Sequence, residues 1–225
     1  MSESAPEASA QAALEFVAGG QTLGLGTGRA AEAFVRALGA RVAAGLQVRG
    51  VPTSERTESL ARELGIPLTT LAEAGRLDVT FDGADEVDPA LDVIKGYGAA
   101  LVREKIVAAS SDRLVILVGA EKLVPHLGAR GRLPVEIIPF AETLAHGRLA
   151  DLGCPAERRS DSSGAPVITD NGNLVLDARV SKIPDPGDLD RRILSIPGVL
   201  GTGLFVGMAD AVVIQDGESV EVRQR

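Results

Sequence analysis

Acidic side chains are concentrated in one short segment of the chain. Asp82, Asp85, Glu86 and Asp88 fall within seven consecutive positions, directly after the strand-like segment LDVTF. Carboxylates this close together can bind a divalent cation or simply face water at a turn. The ligand spacing of an EF-hand calcium loop is not present, so the acidity alone does not decide between a binding site and a solvated turn.

The segment KGYGAALVREK, residues 95–105, combines glycines with a lysine and a glutamate. The glycines lead into a helical pattern whose second turn carries Glu104. Glutamate is one of the side chains that proteins use as a general base. Considered alone, Glu104 also fits an exposed helix position beside Lys105.

A glycine-rich turn, GLGTG at residues 24–28, precedes another helical pattern. Glycines let the backbone approach a ligand, and the N-terminus of the following helix favours an anion. The dinucleotide fingerprint G-x-G-x-x-G fails because Arg29 occupies its third glycine position, and no Gly-Lys-Ser/Thr of a P-loop follows. We therefore expect no nicotinamide cofactor. A tight turn without a ligand is the alternative interpretation.

Few residues are present for other kinds of chemistry. His126 and His146 are the only histidines and Cys154 is the only cysteine. A zinc site, a histidine dyad and an intrachain disulfide therefore have too few residues to form, and no G-x-S-x-G elbow of a serine hydrolase occurs. We expect surface histidines, a packed thiol, and a protein with no metal site and no cofactor.

Alternating helical and strand patterns precede and follow these segments in the first part of the chain. The alternation predicts a largely parallel sheet with helices on both faces, which is a Rossmann-like α/β fold. In such sheets ligands bind at the carboxyl ends of the strands, where the three segments fall. We assign residues 1–131 and 205–225 to this catalytic domain.

After about residue 131 the pattern changes. Residues 132–204 follow the order β-α-β-β-α-β, with a hairpin turn at Asn171-Gly172 and a helix that ends at Pro197-Gly198. This order predicts a second, smaller ferredoxin-like α+β domain.

Composition limits the partners. A formal net charge of −8 disfavours nucleic acid, whose binding depends on Lys and Arg, while a local positive pocket still admits a small anion. No apolar run reaches the roughly 18 residues of a membrane span, and the N-terminus MSESAPEASAQ lacks the features of a signal peptide. We expect a cytoplasmic protein that binds neither nucleic acid nor a membrane.

Seven segments, taken in order, resemble the type A ribose-5-phosphate isomerases over nearly the whole chain: GLGTG, TSERTESLARELGIPL, DGADE, KGYGAALVREK, LPVEIIPF, TDNGN and IPGVLGTGLFVGMAD. DGADE followed by KGxGxxLxREK is highly specific, whereas GxGTG is shared with sugar-phosphate deaminases and coenzyme A transferases. The resemblance implies that Glu104 is the catalytic base and that Asp82, Asp85 and Lys95 handle the substrate. We assign the further substrate contacts to Thr27, Gly28, Arg29, Ala30, Gly83, Ala84, Gly96, Tyr97, Gly98 and Lys122.

The reaction implied by this resemblance is the interconversion of D-ribose 5-phosphate and D-ribulose 5-phosphate through an enediolate. It belongs to the non-oxidative branch of the pentose phosphate pathway, and the resemblance implies a homodimer or homotetramer. Alternatives from the same superfamily are another sugar-phosphate isomerase or deaminase, and a coenzyme A transferase whose glutamate would form a thioester. A sugar-phosphate sensor is a further alternative, but it would normally carry a DNA-binding module, for which the short N-terminus leaves no room.

The sequence departs from the family pattern where phosphate would bind. Arg29-Ala30 replaces Ser-Thr after GTG, and the N-terminal segment lacks a lysine that relatives often carry. A cation in the first turn of a helix is unfavourable by about 0.3–1 kcal/mol unless an anion is bound nearby. We hypothesise that the Arg29 guanidinium takes the substrate phosphate. The alternative is an arginine that points into solvent.

Overall fold

A computed structural model describes residues 7–225 of the chain. Within these residues the α-helices are α1 (Glu7–Ala13), α2 (Arg29–Ala43), α3 (Glu55–Glu63), α4 (Leu71–Ala74), α5 (Leu101–Ala109), α6 (Glu142–Asp151) and α7 (Pro186–Leu194). Short 3₁₀ turns occupy Leu14–Phe16, Ala120–Lys122 and Pro139–Ala141. None of the helices in residues 7–225 is both long and apolar enough to cross a membrane.

The strands are β1 (Thr22–Leu25), β2 (Arg49–Pro52), β3 (Val79–Gly83), β4 (Glu86–Val87), β5 (Val93–Ile94), β6 (Leu114–Gly119), β7 (Arg132–Ile137), β8 (Ala156–Arg158), β9 (Leu174–Arg179), β10 (Val199–Thr202), β11 (Leu204–Phe205), β12 (Ala211–Asp216) and β13 (Ser219–Gln224). They form three sheets of six, four and three strands. Two compact units contain them.

The first unit comprises the described residues up to Ala84 together with Arg103–Lys122 and Met208–Arg225. Its sheet has the order β13-β12-β6-β3-β1-β2, in which all neighbours pair in parallel except β12 with β13. Strand β2 lies on one side of β1 in the sheet, and β3, the next strand in sequence, lies on the other side of β1. This reversal between β1 and β3 is the position where ligands bind in open α/β sheets.

The core of the first unit forms between the sheet and its helices. Phe34 of α2 stacks on Phe81 of β3 with ring centroids 4.1 Å apart, and both side chains are fully buried. The apolar strand β6 is buried along its first five residues, as its composition predicts. The parallel α/β fold and the return of the last strands to this sheet are therefore as predicted from the sequence.

The second unit comprises Asp85–Val102 and Leu123–Gly207. From β7 to β10 its elements follow the order β7-α6-β8-β9-α7-β10, and the antiparallel sheet has the order β10-β7-β9-β8. This is the predicted ferredoxin-like arrangement. A small additional sheet has the order β11-β5-β4.

The two units do not divide at the residues that the sequence pattern indicates. Residues 85–102, 123–131 and 205–207, assigned above to the Rossmann-like domain, fall in the second unit. The reason is strand pairing, since β5 pairs with β11 and the backbone N–H of Lys95 donates to Gly203 O at 2.9 Å. The segment VITD before Asn171 is not a strand, because β9 pairs with β8 and β7 instead and only an isolated bridge joins Ile168 to Leu174.

Candidate active site

Several predicted site residues follow the carboxyl ends of three adjacent strands in the first unit. Thr27 and Gly28 follow β1, Gly83 ends β3 with Ala84 after it, and Lys122 ends the 3₁₀ turn behind β6. Because these strands are parallel neighbours, the segments share one edge of the sheet. The edge includes the β1/β3 reversal described above.

Asp82 links the loops that follow β1 and β3. It is 1% exposed, and its Oδ1 accepts the backbone N–H of Thr27 at 3.1 Å and of Gly83 at 2.8 Å. The close approach requires glycine at position 26, since a Cβ there would lie 2.3 Å from Asp82 Oδ1. The carboxylate is therefore oriented by backbone donors, and the alternative of a solvated acidic turn does not apply to Asp82.

A cluster of hydroxyl groups surrounds Thr27. Its Oγ1 lies 2.8 Å from Thr53 Oγ1, 2.8 Å from Ser54 Oγ and 3.3 Å from Thr57 Oγ1. Thr57 also donates to Gly26 O at 2.8 Å, and the Ser54 side chain caps α3 by accepting Thr57 N–H. The motif TSERT marks these residues in the sequence, but no pattern along the chain indicates that they bind one another around Thr27.

Arg29 and Ala30 begin α2, as the sequence predicts. Gly28 precedes the helix with a φ of 100°, a backbone conformation that favours glycine, and offers no side-chain cap to the helix N–H groups. Arg29 is exposed and Ala30 is partly buried. Exposure is compatible both with a guanidinium that reaches a bound phosphate and with one in solvent, so the role of Arg29 stays a prediction.

Glu104 lies in the first turn of α5 and is 4% exposed. The helix begins at Leu101, so Glu104 is one turn earlier than the pattern suggests, and the exposed position considered above is wrong. Buried glutamates are rare in proteins, so Glu104 is a candidate for acid-base chemistry. The neighbouring Ile106, by contrast, is 49% exposed.

Lys95 is held inside the second unit at the end of β5. It is 2% exposed, and its Nζ lies 5.7 Å from the centroid of the Phe205 ring. Its backbone is packed against Gly203, where a Cβ would lie 2.3 Å from Lys95 O. The motif GTGLF therefore contributes a close backbone contact and a ring that orient the lysine, a role that sequence reasoning did not assign.

Asp85 and the loop Gly96–Gly98 meet in the same unit. Asp85 Oδ2 accepts the backbone N–H of Tyr97 at 3.0 Å. Gly96 is buried with a φ of 104°, Tyr97 is partly buried and Gly98 is exposed. Burial raises the pKa of Tyr97 to about 12, and the negative charges of Asp85 and Glu86 add to the shift.

Glu86 and Asp88, the other acids of the acidic segment, stabilise backbone turns. Glu86 is fully buried, and its two oxygens accept the N–H groups of Gly128 and Arg130, each at 2.7 Å. Asp88 Oδ1 accepts the N–H groups of Ala90 and Asp92 at 2.9 and 3.0 Å. Within residues 7–225 no group of three His, Cys, Asp or Glu side chains is arranged to hold a metal ion.

A parallel sheet with a buried carboxylate and an open helix terminus at its strand ends has the arrangement by which α/β proteins bind anionic ligands. The family described as ribose 5-phosphate isomerase A (phosphoriboisomerase A) matches residues 49–219. The chain belongs to this family.

Relatives match along nearly the whole chain. Ribose-5-phosphate isomerase A of Parvibaculum lavamentivorans is 48% identical over 222 residues, which cover 96% of each protein. The structure of ribose 5-phosphate isomerase A from Methanocaldococcus jannaschii has a TM-score of 0.92 at 38% identity, covering 98% of this chain and 97% of that one. A D-ribose-5-phosphate isomerase in complex with phospho-erythronic acid has a TM-score of 0.94, the same identity and the same coverage. The predicted family and fold class are thus confirmed.

Proposed function

We propose that this protein interconverts D-ribose 5-phosphate and D-ribulose 5-phosphate through an enediolate, with Glu104 as the base. The observation that carries the choice of base is the burial of Glu104, at 4% exposure, in a chain of the ribose 5-phosphate isomerase A family. Charged side chains are seldom fully buried in proteins, so a buried glutamate is a candidate for a functional role.

A single base can account for every proton transfer to and from carbon in this reaction. Glu104 removes the proton from C2 of the open-chain aldose, and the electrons of that C–H bond form the C1–C2 double bond of an enediolate. A hydroxyl proton moves from O2 to O1, and Glu104 returns its proton to C1 to give the ketose. Lys95 stabilises the negative oxygens, while Asp82 and Asp85 relay the hydroxyl proton or open the sugar ring.

The phosphate is assigned to the start of α2 and the residues around it. Thr27, Gly28, Arg29 and Ala30 supply N–H groups, a hydroxyl and a guanidinium at a helix terminus that favours anions. Lys122 adds a second cation. The binding of phospho-erythronic acid by a solved isomerase of the same fold supports a site that accepts a phosphorylated sugar acid.

We also propose further contacts with the substrate, a cellular compartment, a pathway and an oligomeric state for this enzyme. Gly83, Ala84, Gly96, Tyr97 and Gly98 contribute backbone groups to the substrate. The enzyme acts in the cytoplasm, in the non-oxidative branch of the pentose phosphate pathway, as a homodimer or homotetramer. It needs neither a metal ion nor a cofactor, because the proton route described above uses only its own side chains.

Isomerisation in deuterated water tests this function. A carboxylate that holds the transferred proton exchanges it with solvent, so we expect deuterium at C1 of the ribulose 5-phosphate formed. Complete retention of the substrate hydrogen through many reversible turnovers would contradict the enediolate route. Absence of any conversion of ribose 5-phosphate would contradict the function itself.

A further inference from the structure

Arg159 is a buried arginine that follows β8 in the second unit. Its side chain is 8% exposed, and it pairs with Asp177 of β9 through Nε at 3.0 Å and Nη2 at 2.5 Å. The remaining nitrogen, Nη1, donates to Gly96 O at 2.8 Å and to Tyr97 O at 3.1 Å. The guanidinium therefore joins a carboxylate on the sheet to two carbonyls of the loop that follows Lys95.

The peptide group between Gly96 and Tyr97 is bound at both ends. Its carbonyl accepts from Arg159, and its N–H donates to Asp85 Oδ2 at 3.0 Å. A cation at the oxygen and an anion at the N–H polarise the peptide in the same direction, so each hydrogen bond strengthens the other. One peptide thus connects a residue not assigned to the reaction with one that the proposed function uses.

Arg159 fits this position for geometric reasons. A planar guanidinium group can donate two parallel hydrogen bonds to a carboxylate and still donate from its third nitrogen to other acceptors. The ammonium group of a lysine has a single nitrogen and cannot make this set of contacts. The carbonyl that Arg159 binds belongs to a glycine for a steric reason, since a Cβ at Gly96 would lie 3.0 Å from Leu101 Cβ and 3.1 Å from Pro134 Cβ. Burial keeps water from replacing the arginine at the two carbonyls.

We propose that Arg159 is a positioning residue for the isomerase reaction, one that fixes Asp85 and Lys95 by holding the Gly96–Tyr97 peptide. This inference rests on the proposed function, because it assumes that Asp85 and Lys95 act on the enediolate. A loop that is free to shift by about 1 Å lowers turnover by up to about 10²-fold. Substrate affinity should change less than turnover, because phosphate binding is assigned to residues 27–30 and not to this loop.

The chain has its own reporter for this loop. Tyr97 is the only tyrosine and there is no tryptophan, so intrinsic fluorescence and tyrosinate absorbance arise from the loop alone. The test compares Arg159→Met and Arg159→Lys with Arg158→Gln. The control removes the adjacent arginine, which pairs with Glu142 at 3.2 Å and not with the loop.

We expect Arg159→Met to lower kcat by about 10- to 100-fold while KM changes by less than about 3-fold. Acrylamide should quench Tyr97 more strongly in Arg159→Met than in wild type. Arg159→Lys should lie between wild type and Arg159→Met, and Arg158→Gln should match wild type in every measurement.

A folded Arg159→Met enzyme with wild-type kcat would overturn the proposal. A lower kcat with unchanged Tyr97 quenching would also overturn it, because the loss would then not pass through the loop. If Arg159→Met does not fold, the same criteria apply to Arg159→Lys. Failure of the wild-type protein to convert ribose 5-phosphate would overturn the proposed function instead, and the quenching comparison would still decide whether Arg159 holds the loop.

Discussion

Thr27 and Asp82 are joined by a hydrogen bond of 3.1 Å from the backbone N–H of Thr27 to Asp82 Oδ1. The bond connects the loops that follow β1 and β3, at the reversal of strand order where α/β sheets bind ligands. Gly26 makes the contact possible, since any side chain at that position would occupy the space of the Asp82 carboxylate.

We therefore predict that Gly26→Ala displaces Asp82 and impairs the enzyme. The added Cβ would lie 2.3 Å from Asp82 Oδ1 and 2.5 Å from Phe81 O, and overpacking of this kind lowers the free energy of unfolding by about 1–3 kcal/mol. Chemical denaturation and steady-state kinetics measure the two effects. Gly19→Ala is the control, since nothing lies within 4 Å of a Cβ there. Equal behaviour of the two variants would contradict the prediction.

Glu104→Gln should preserve the fold and substrate binding and lower turnover by at least about 10²-fold, because it removes the base but keeps the size of the side chain. Turnover and substrate affinity are measured separately, the latter by calorimetry. Glu63→Gln, at the exposed end of α3, is the matched control. Near-normal turnover in a correctly folded Glu104→Gln protein would exclude Glu104 as the base.

Lys95→Ala should lower kcat more than it raises KM. A contact to the enediolate oxygens strengthens in the transition state, so its loss reduces transition-state binding more than ground-state binding. Steady-state kinetics with ribose 5-phosphate separates the two parameters. A variant whose KM rises while its kcat is unchanged would show instead that Lys95 only holds the substrate.

Arg29→Ala should raise KM for ribose 5-phosphate by the equivalent of about 1.5–3 kcal/mol, since a charge-assisted hydrogen bond to the phosphate is lost. Weak turnover of unphosphorylated ribose should not change. Arg36→Ala is the control, because Arg36 is an exposed arginine in the same helix. An unaltered KM in Arg29→Ala would assign Arg29 to the solvated surface.

Isomerase activity should survive a metal chelator. The oxygens of Glu86, and one oxygen each of Asp82 and Asp88, accept backbone N–H groups, which a bound cation would have to displace. The assay compares rates before and after dialysis against EDTA. Loss of activity that one added divalent ion restores would contradict the metal-free mechanism.

Local sequence was enough to predict the class of fold, whereas the roles of the candidate residues were implied by the resemblance to a family. Strand and helix periodicities are properties of neighbouring residues, and so the parallel sheet around β1, β3 and β6 and the β-α-β-β-α-β order of β7 to β10 could be predicted from them. Glycines at positions 26, 28 and 96 indicate the loops of the candidate site. A side chain at position 26 would collide with Asp82, and the positive φ at positions 28 and 96 favours glycine.

Only the tertiary structure decided which side chains are buried and what binds them. Glu104 and Lys95 are charged residues in segments whose patterns do not indicate burial, and Glu86 binds backbone groups more than forty positions away. Arg159 meets Gly96 across sixty-three positions. Such contacts depend on which distant strands pair with one another. The backbone of β5 and of the loop after it forms hydrogen bonds with β11 and Gly203, and these bonds hold the segment in the second unit.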